Sequence, residues 1–339
     1  MPGRSNRDIV VIGASAGGIE ALSELARLLP PMEAAIFVVV HTGPSGPGML
    51  ANLLERGGQW PASVAEADSA IEHRRIYVAP PGQHMVLERE GVRLVRGPLE
   101  NRNRPSIDTL FRSAAKAFGS RVIGVILSGY LDDGTAGAIA IQRSGGVVIA
   151  QDPGEALAPG MPQSVISSMQ VDHVARAAEI PGLLARLTSA AAPAARTPPR
   201  SMKPSRSINK VAQIDPTGRP SAYTCPECHG TLWEVEEEGL LRFACRVGHS
   251  FSANSMVEGQ EDSAERALWA AMRALEERAD LSARMAAHAN ERGQGLSAQR
   301  YLEASGSAAH DAGVLRNLLT NGKRSQAKER HDPQLKRPA

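Results

Sequence analysis

Asp8-Ile9-Val10-Val11-Ile12-Gly13-Ala14-Ser15-Ala16-Gly17-Gly18 joins a β-branched apolar run to a stretch of small residues. Beyond it Ile19, Leu22, Ala26 and Leu29 recur at helical spacing until Pro30-Pro31 stops the pattern. The unit therefore reads as strand, tight turn, helix. Short apolar strands of the same kind recur at Asp8 to Ile12, Ile36 to Val40, Ile76 to Ala79, Val122 to Leu127 and Gly146 to Ala150, with helical patterns between them. This alternation predicts an α/β domain over residues 1–188, built on a doubly wound, mostly parallel sheet of the Rossmann-like three-layer kind. Met85 to Val95, centred on Glu90-Gly91, reads as a β-hairpin inserted in the scheme.

The turn after the first strand carries chemistry. Gly13-Ala14-Ser15-Ala16-Gly17 fits the G-x-S-x-G nucleophile elbow, where small residues permit a sharp turn and the backbone N–H groups that follow can meet an oxyanion. Two other readings compete. A dinucleotide loop would use Gly13, position 15 and Gly18, but its middle glycine is Ser15, and strand two ends in His41 where a ribose-binding acid is expected. A serine in a tight turn can also simply cap a helix. His41, at the C-terminal end of the neighbouring strand, is placed to act as a general base for Ser15. The strand Val122 to Leu127 runs into Asp132-Asp133, either of which can supply a carboxylate or cap a helix. Ser, His, Asp in that order is an unusual triad order, but triads are defined by geometry.

Several blocks, in sequence order, resemble the catalytic domain of the CheB-type chemotaxis receptor methylesterases. They are Ile12-Gly13-Ala14-Ser15-Ala16-Gly17-Gly18, Val39-Val40-His41, Tyr77-Val78-Ala79-Pro80-Pro81-Gly82-Gln83-His84-Met85, Arg104-Pro105-Ser106-Ile107-Asp108, Leu127-Ser128-Gly129 through Asp133-Gly134, and Gly160-Met161-Pro162. The resemblance covers about residues 8–188. It implies a triad of Ser15, His41 and Asp133, an oxyanion hole from backbone amides around Ala16, Gly17 and Tyr130, and a loop beside the pocket at Met161 and Pro162, which can equally be a turn and a core methionine. Ala16 stands where a threonine is common in the family, and Tyr130 where a methionine is usual. The implied reaction is hydrolysis of glutamyl γ-methyl esters on the cytoplasmic helices of methyl-accepting chemoreceptors, with glutamine deamidation as an accompanying activity and no catalytic cofactor. A CheR-type receptor methyltransferase would be the functional counterpart. The family's familiar architecture puts a phosphorylatable receiver domain first; with the first catalytic strand at Asp8, the expectation is a stand-alone form without that switch.

The remainder of the 339 residues reads differently. Residues 189–221 hold six prolines and a local charge of +5, the pattern of a flexible basic linker. Residues 322–339 carry +4 and read as a disordered basic tail; subtracting both leaves −7 of the chain's +2, so its basic character gives no support to nucleic-acid binding. Between them, Cys225-x-x-Cys228 and Cys245-x-x-x-His249 have the spacing of a Cys3His structural zinc site, predicting a zinc-ribbon-like domain over 222–257, with His229 as rival fourth ligand and Trp233, Phe243 and Phe251 as its cover. A thioredoxin-like use of the C-x-x-C pair lacks its βαβ setting. Over 258–321, Leu268, Met272, Leu275 and Ala279 on one stripe and Ala308, Ala312, Leu315 and Leu319 on another predict a helical hairpin broken near Gly293-Gln294-Gly295. There is no run of about 18 uncharged apolar residues and no apolar leader, so the expected compartment is the cytoplasm, with membrane contact only through a receptor. A non-catalytic signalling adaptor and a small-molecule carboxylesterase are the alternatives; an adaptor has no need of a complete triad.

Overall fold

The chain divides into two compact units, Met1–Val257 and Glu258–Ala339. The computed structural model describes residues 6–41, 47–190, 192 and 218–331.

The first unit begins with β1 (Ile9–Ala14), α1 (Gly18–Leu28), β2 (Ala35–Val40), α2 (Pro47–Gly57), β3 (Ala62–Val64) and β4 (Arg75–Val78). The expected hairpin follows as β5 (His84–Glu88) and β6 (Gly91–Val95). Then come α3 (Ile107–Phe118), β7 (Val122–Ile126), α4 (Thr135–Arg143), β8 (Val147–Gln151), α5 (Gly160–Ser168), β9 (His173–Ala175) and α6 (Ile180–Ser189). Seven strands form one sheet in the order β3-β4-β2-β1-β7-β8-β9, every pair parallel. The two edge strands, β3 and β9, are three residues each, too short to show as apolar runs in the sequence.

Both faces of the sheet are covered, and for that reason its strands read as unbroken apolar runs. Val10 and Ile12 pack with Leu22 and Leu25 of α1, Leu54 of α2 and Leu184 of α6. Ile9 and Val11 point the other way, to Leu110 and Phe111 of α3, Ile141 of α4 and Val165 of α5. Each such fully buried side chain stabilises the fold by about 1.5–3 kcal/mol. In α1 the buried face is Ala21, Leu22, Leu25 and Ala26, whereas Ile19, expected on that stripe, lies at its edge and is about one-third exposed.

The same unit contains a second sheet, antiparallel, of β10 (Arg219–Thr224), β11 (Thr231–Glu237), β12 (Leu240–Cys245) and β13 (Ser250–Ser252). β11 and β12 are joined through Glu238 and Gly239, both at positive φ, as a tight hairpin turn requires. β10 starts within the last residues assigned to the linker; residues 193–217 of that linker lie outside the described residues. Leu232, Phe243, Phe251 and Met256 form the small core around the cysteines, with Tyr223 edge-on to Phe243. Trp233 is not part of it: side chains alternate along β11, and Leu232 takes the inward position.

Two long helices follow, α7 (Ala253–Glu291) and α8 (Gly295–His331). In the second unit Leu268, Met272 and Leu275 pack with Ala312, Leu315 and Leu319, and Ser305 Oγ donates to the Ala279 carbonyl at 2.9 Å. α8 continues through 322–331, so that part of the expected disordered tail is helical; residues 332–339 lie outside the described residues. No helix among the described residues is long and apolar enough to cross a membrane.

Candidate active site

β1 is flanked by β2 on one side and β7 on the other, so the connections run in opposite directions from it and leave a crevice at the C-terminal edge of the sheet. Ser15 follows β1, His41 follows β2, and Asp133 lies in the loop after β7. The three residues line one cleft of about 240 Å³, together with Asn101, Tyr130 and Ser255.

The turn that carries Ser15 is pinned from the neighbouring strand end. Ser15 N–H donates to the Ser128 carbonyl at 2.9 Å, and Ser128 Oγ donates to the Ala16 carbonyl at 2.6 Å. Gly17 caps α1 at φ +72°, a left-handed conformation that glycine adopts without steric cost. The N–H groups of Ala16, Gly17 and Tyr130 meet no acceptor among the described residues. They are free to receive a developing oxyanion. Met161 and Pro162 do not line the cleft. Both are buried in the first turn of α5, where Met161 packs beneath Gly129 in the core.

Asp133 and Asp132 are adjacent in sequence and differ in environment. His41 Nε2 donates to Asp133 Oδ2 at 2.9 Å. The same oxygen accepts Ile107 N–H at 2.8 Å, while Oδ1 accepts Ser106 Oγ at 3.0 Å, Asn101 Nδ2 at 2.9 Å and Asp108 N–H at 3.2 Å. Ile107 and Asp108 open α3, and their amides have no partner within the helix, so the carboxylate sits at the positive helix end. Burial alone raises the Asp133 carboxyl, but the His41 hydrogen bond and charge, then Asn101 and the Ile107 amide, outweigh it and hold the group at about 2. Asp132 instead accepts Ser252 Oγ at 2.7 Å and Asn254 Nδ2 at 3.3 Å and has no bond to His41. Burial, helped by the Asp133 charge, raises its carboxyl despite those bonds.

No sequence signal pointed to the layer behind Ser15, His41 and Asp133. Glu100, Asp108, Arg112 and Arg242 form a buried charge cluster around Asn101. Asp108 is raised to about 7, first by burial and then by the Asp133 charge, against the pull of Arg242 and Arg112. Glu100 goes the other way, to about 2: burial raises it, and Arg112 and Arg242 more than reverse that. Asp108 stood within a recognised block. Asn101 and Arg242 carried no sequence signal, since a lone amide and a lone arginine have neither spacing nor periodicity.

Cys225, Cys228, Cys245 and His249 converge, with their ligand atoms all within 4.8 Å of one another, and can hold a metal ion. Cys228 Sγ and Cys245 Sγ are 3.7 Å apart, and His249 Nδ1 is 3.6 Å from Cys225 Sγ and 3.5 Å from Cys245 Sγ. His229, the rival ligand, lies outside the cluster.

A sequence model of the family described as CheB methylesterase matches residues 10–184, just over half of the chain. The chain belongs to the CheB methylesterase family. Among CheB relatives, a "Protein-glutamate methylesterase/protein-glutamine glutaminase" of Pectobacterium atrosepticum is 36% identical over 178 residues, 51% of this chain and 51% of the relative. One of Xanthomonas campestris, with the same description and the number 2, is 37% identical over 170 residues, 49% of this chain and 48% of the relative. The chain thus matches about half the length of these curated relatives. The crystal structure of the Thermotoga maritima CheB methylesterase catalytic domain superposes with a TM-score of 0.52 at 34% identity, covering 98% of that domain and 53% of this chain. The cysteine module and the two long helices lie outside the CheB match.

Proposed function

We propose that this chain is a cytoplasmic protein-glutamate methylesterase that hydrolyses glutamyl γ-methyl esters on chemoreceptor helices through an acyl-enzyme on Ser15. The observation that carries the reading is the 2.9 Å bond between His41 and Asp133 in the cleft that Ser15 lines, on this family's fold. Ser15 Oγ attacks the ester carbonyl, and His41 takes its proton at Nδ1, the ring nitrogen not engaged by Asp133. Asp133, ionised at neutral pH, stabilises the imidazolium. The imidazolium returns the proton to the departing methoxide, and methanol leaves. Water, activated by the same ring, then releases the glutamate side chain and restores Ser15. The free amides of Ala16, Gly17 and Tyr130 receive the negative charge in both tetrahedral intermediates. Nothing in this sequence of steps calls for a cofactor.

The cleft of about 240 Å³ is smaller than the roughly 300–1,000 Å³ of pockets that enclose drug-sized ligands, which favours the end of one side chain presented on a protein surface. Glutamine deamidation follows the same course with ammonia in place of methanol, and the relatives described as glutaminases support it. The esters removed would be those made by a CheR-type methyltransferase.

For the cysteine cluster we propose a structural zinc ion. Zinc bonds of about 2.3 Å to sulfur and about 2.0–2.1 Å to nitrogen, at tetrahedral angles, place sulfurs about 3.8 Å apart and sulfur about 3.6 Å from nitrogen. The observed separations of 3.7, 3.6 and 3.5 Å fit these edges. With all four positions filled by protein, the ion would contribute to folding and not to catalysis.

Incubation with a methyl-labelled receptor fragment tests the assignment. Methanol release that disappears in Ser15→Ala is the expected result; release at the wild-type rate in that variant overturns the mechanism.

A further inference from the structure

The cysteine module is not a separate appendage within its unit. Its strand β13 pairs with the loop ahead of α3, Asn101 N–H donating to the Ser250 carbonyl at 2.8 Å and Ser250 N–H to the Leu99 carbonyl at 3.2 Å. From β12, Arg242 extends its guanidinium into the catalytic domain, where its side chain is only 3% exposed. Nη1 donates to Asp108 Oδ2 at 3.0 Å, and Nη2 donates to Glu100 Oε1 at 2.7 Å and to Asn101 Oδ1 at 3.3 Å.

Asn101 is the link to the triad. Its Nδ2 donates to Asp108 Oδ2 and to Asp133 Oδ1, both at 2.9 Å. Among the described residues its Oδ1 accepts from the cysteine-module side: Ser252 N–H at 2.9 Å, Ser255 Oγ at 3.3 Å and Arg242. The amide thus has one possible orientation. Two carboxylates demand its donor end, and three donors demand its acceptor end. Reversing it would face oxygen to carboxylates and N–H to donors. Without those donors the orientation of the amide rests on the two carboxylates at its other end.

We propose that Arg242 is a positioning residue of the esterase: acting through the Asn101 amide, it holds the Asp133 carboxylate in the orientation that meets His41, which makes the cysteine module part of the catalytic apparatus. This rests on the triad assignment above. The family match ends before this arginine, so Arg242, Ser252 and Ser255 are contributed to the layer behind Asp133 from a segment outside it. The charged groups around Asp108 are Asp133 after β7, Arg112 on α3, Glu100 ahead of α3, and Arg242 on β12; Glu237, on β11, faces Arg242 and Arg112.

The test uses the full chain. Deleting the Arg242 charge would leave buried carboxylates uncompensated and risk unfolding, so Arg242→Lys is the variant of choice: it keeps a cation and loses the planar fork. Expected are unchanged metal content and circular dichroism, a KM for receptor fragment within about twofold, and a kcat lower by about 10- to 100-fold, the scale of a small misplacement at a catalytic group. The downfield proton resonance of the His41–Asp133 bond should shift or broaden. In an Asn101→Ala background, Arg242→Lys should cost no further kcat, because the coupling runs through that amide. If Arg242→Lys does not fold, Ser255→Ala removes one donor to the same Asn101 oxygen without touching a charge; its expected few-fold loss of kcat should also vanish in Asn101→Ala. A kcat within twofold of wild type in folded Arg242→Lys, or losses that add in the double variant, overturn the proposal. Labelling of Ser15 by a fluorophosphonate, slowed in Arg242→Lys, separates this from the substrate assignment. Wild type that labels readily but releases no methanol refutes the receptor reading alone, and wild type that does not label refutes both.

Discussion

Changing Asp133 to asparagine replaces one carboxylate oxygen by an NH2 group at a place where every neighbour is a donor. Oδ2 faces His41 Nε2 and Ile107 N–H; Oδ1 faces Asn101 Nδ2, Ser106 Oγ and Asp108 N–H. Whichever way the amide turns, one of its N–H groups confronts a main-chain N–H at the start of α3 that cannot rotate away. An orphaned buried donor costs about 1–3 kcal/mol, and here at least one backbone N–H and one amide N–H are orphaned together, so Asp133→Asn should lower stability by about 2–6 kcal/mol. The neutral amide also gives up the imidazolium's counter-charge and its tautomer control, which in serine triads is worth about 10⁴ in kcat, or about 5–6 kcal/mol of barrier. Asp132→Asn is the control. Asp132 touches Ser252 and Asn254 and not His41, and an asparagine retains an acceptor for Ser252 Oγ. Its kcat should stay within about threefold and its stability within about 1 kcal/mol of wild type. Methanol release and urea unfolding, measured on both variants, decide the matter. An Asp133→Asn enzyme that keeps a tenth of its kcat, or an Asp132→Asn enzyme that loses as much as its neighbour, refutes the reasoning.

A Cβ added at Gly129 would lie 2.1 Å from Met161 Sδ and 2.8 Å from Ser15 Cβ. Gly129→Ala should therefore cost about 1–3 kcal/mol of stability by overpacking and most of the activity; adding Met161→Ala should recover stability more than activity, since the clash with Ser15 remains, and equal recovery of both would show the Ser15 contact to be unimportant. Treatment with a chelator, or Cys245→Ser, should lower the melting temperature of the chain and expose the β12 and β13 amides to hydrogen exchange, as expected if the proposed zinc supplies folding energy; unchanged exchange there would refute a structural ion. Asp133 and Glu100, both held at about 2 and so below their unfolded values of 3.8 and 4.5, contribute stability that is complete above about pH 5 and is lost as pH falls through about 2. Each loss is on the order of a few kcal/mol, readable as a fall in the urea midpoint below about pH 4 that is shallower in Glu100→Gln; an equally steep fall in that variant would contradict the burial and pairing of Glu100.

How far the sequence alone reached follows from the range of the interactions. Runs such as Ile9 to Ile12 and Ala35 to Val40 announce strands covered on both faces, because alternate residues enter different cores and neither face can be polar. The short edge strands β3 and β9 have no such constraint and stayed invisible. Ser15 and His41 were legible because each directly follows a buried strand on the edge where this topology opens, and Cys225, Cys228, Cys245 and His249 because two tight ligand pairs have a characteristic spacing. The choice between Asp132 and Asp133 needed the resemblance and then the loop geometry: adjacent residues in a loop point in different directions, and only the α3 N-terminus and His41 determine which carboxylate is bonded. Trp233 and Met161 show the same limit, since an aromatic or a methionine can line a site or fill a core with equal ease. The module boundary is the clearest case. By itself the sequence determined the buried strands, the G-x-S-x-G turn at Ser15 and the paired spacing of the three cysteines and His249, all of which are set by local periodicity or spacing within a few residues. Only the tertiary structure brought Arg242 to Asp108, 134 residues away, and turned the Asn101 amide toward Asp133. Buried charges find partners by the geometry of packed surfaces, and no local pattern in the chain encodes that geometry.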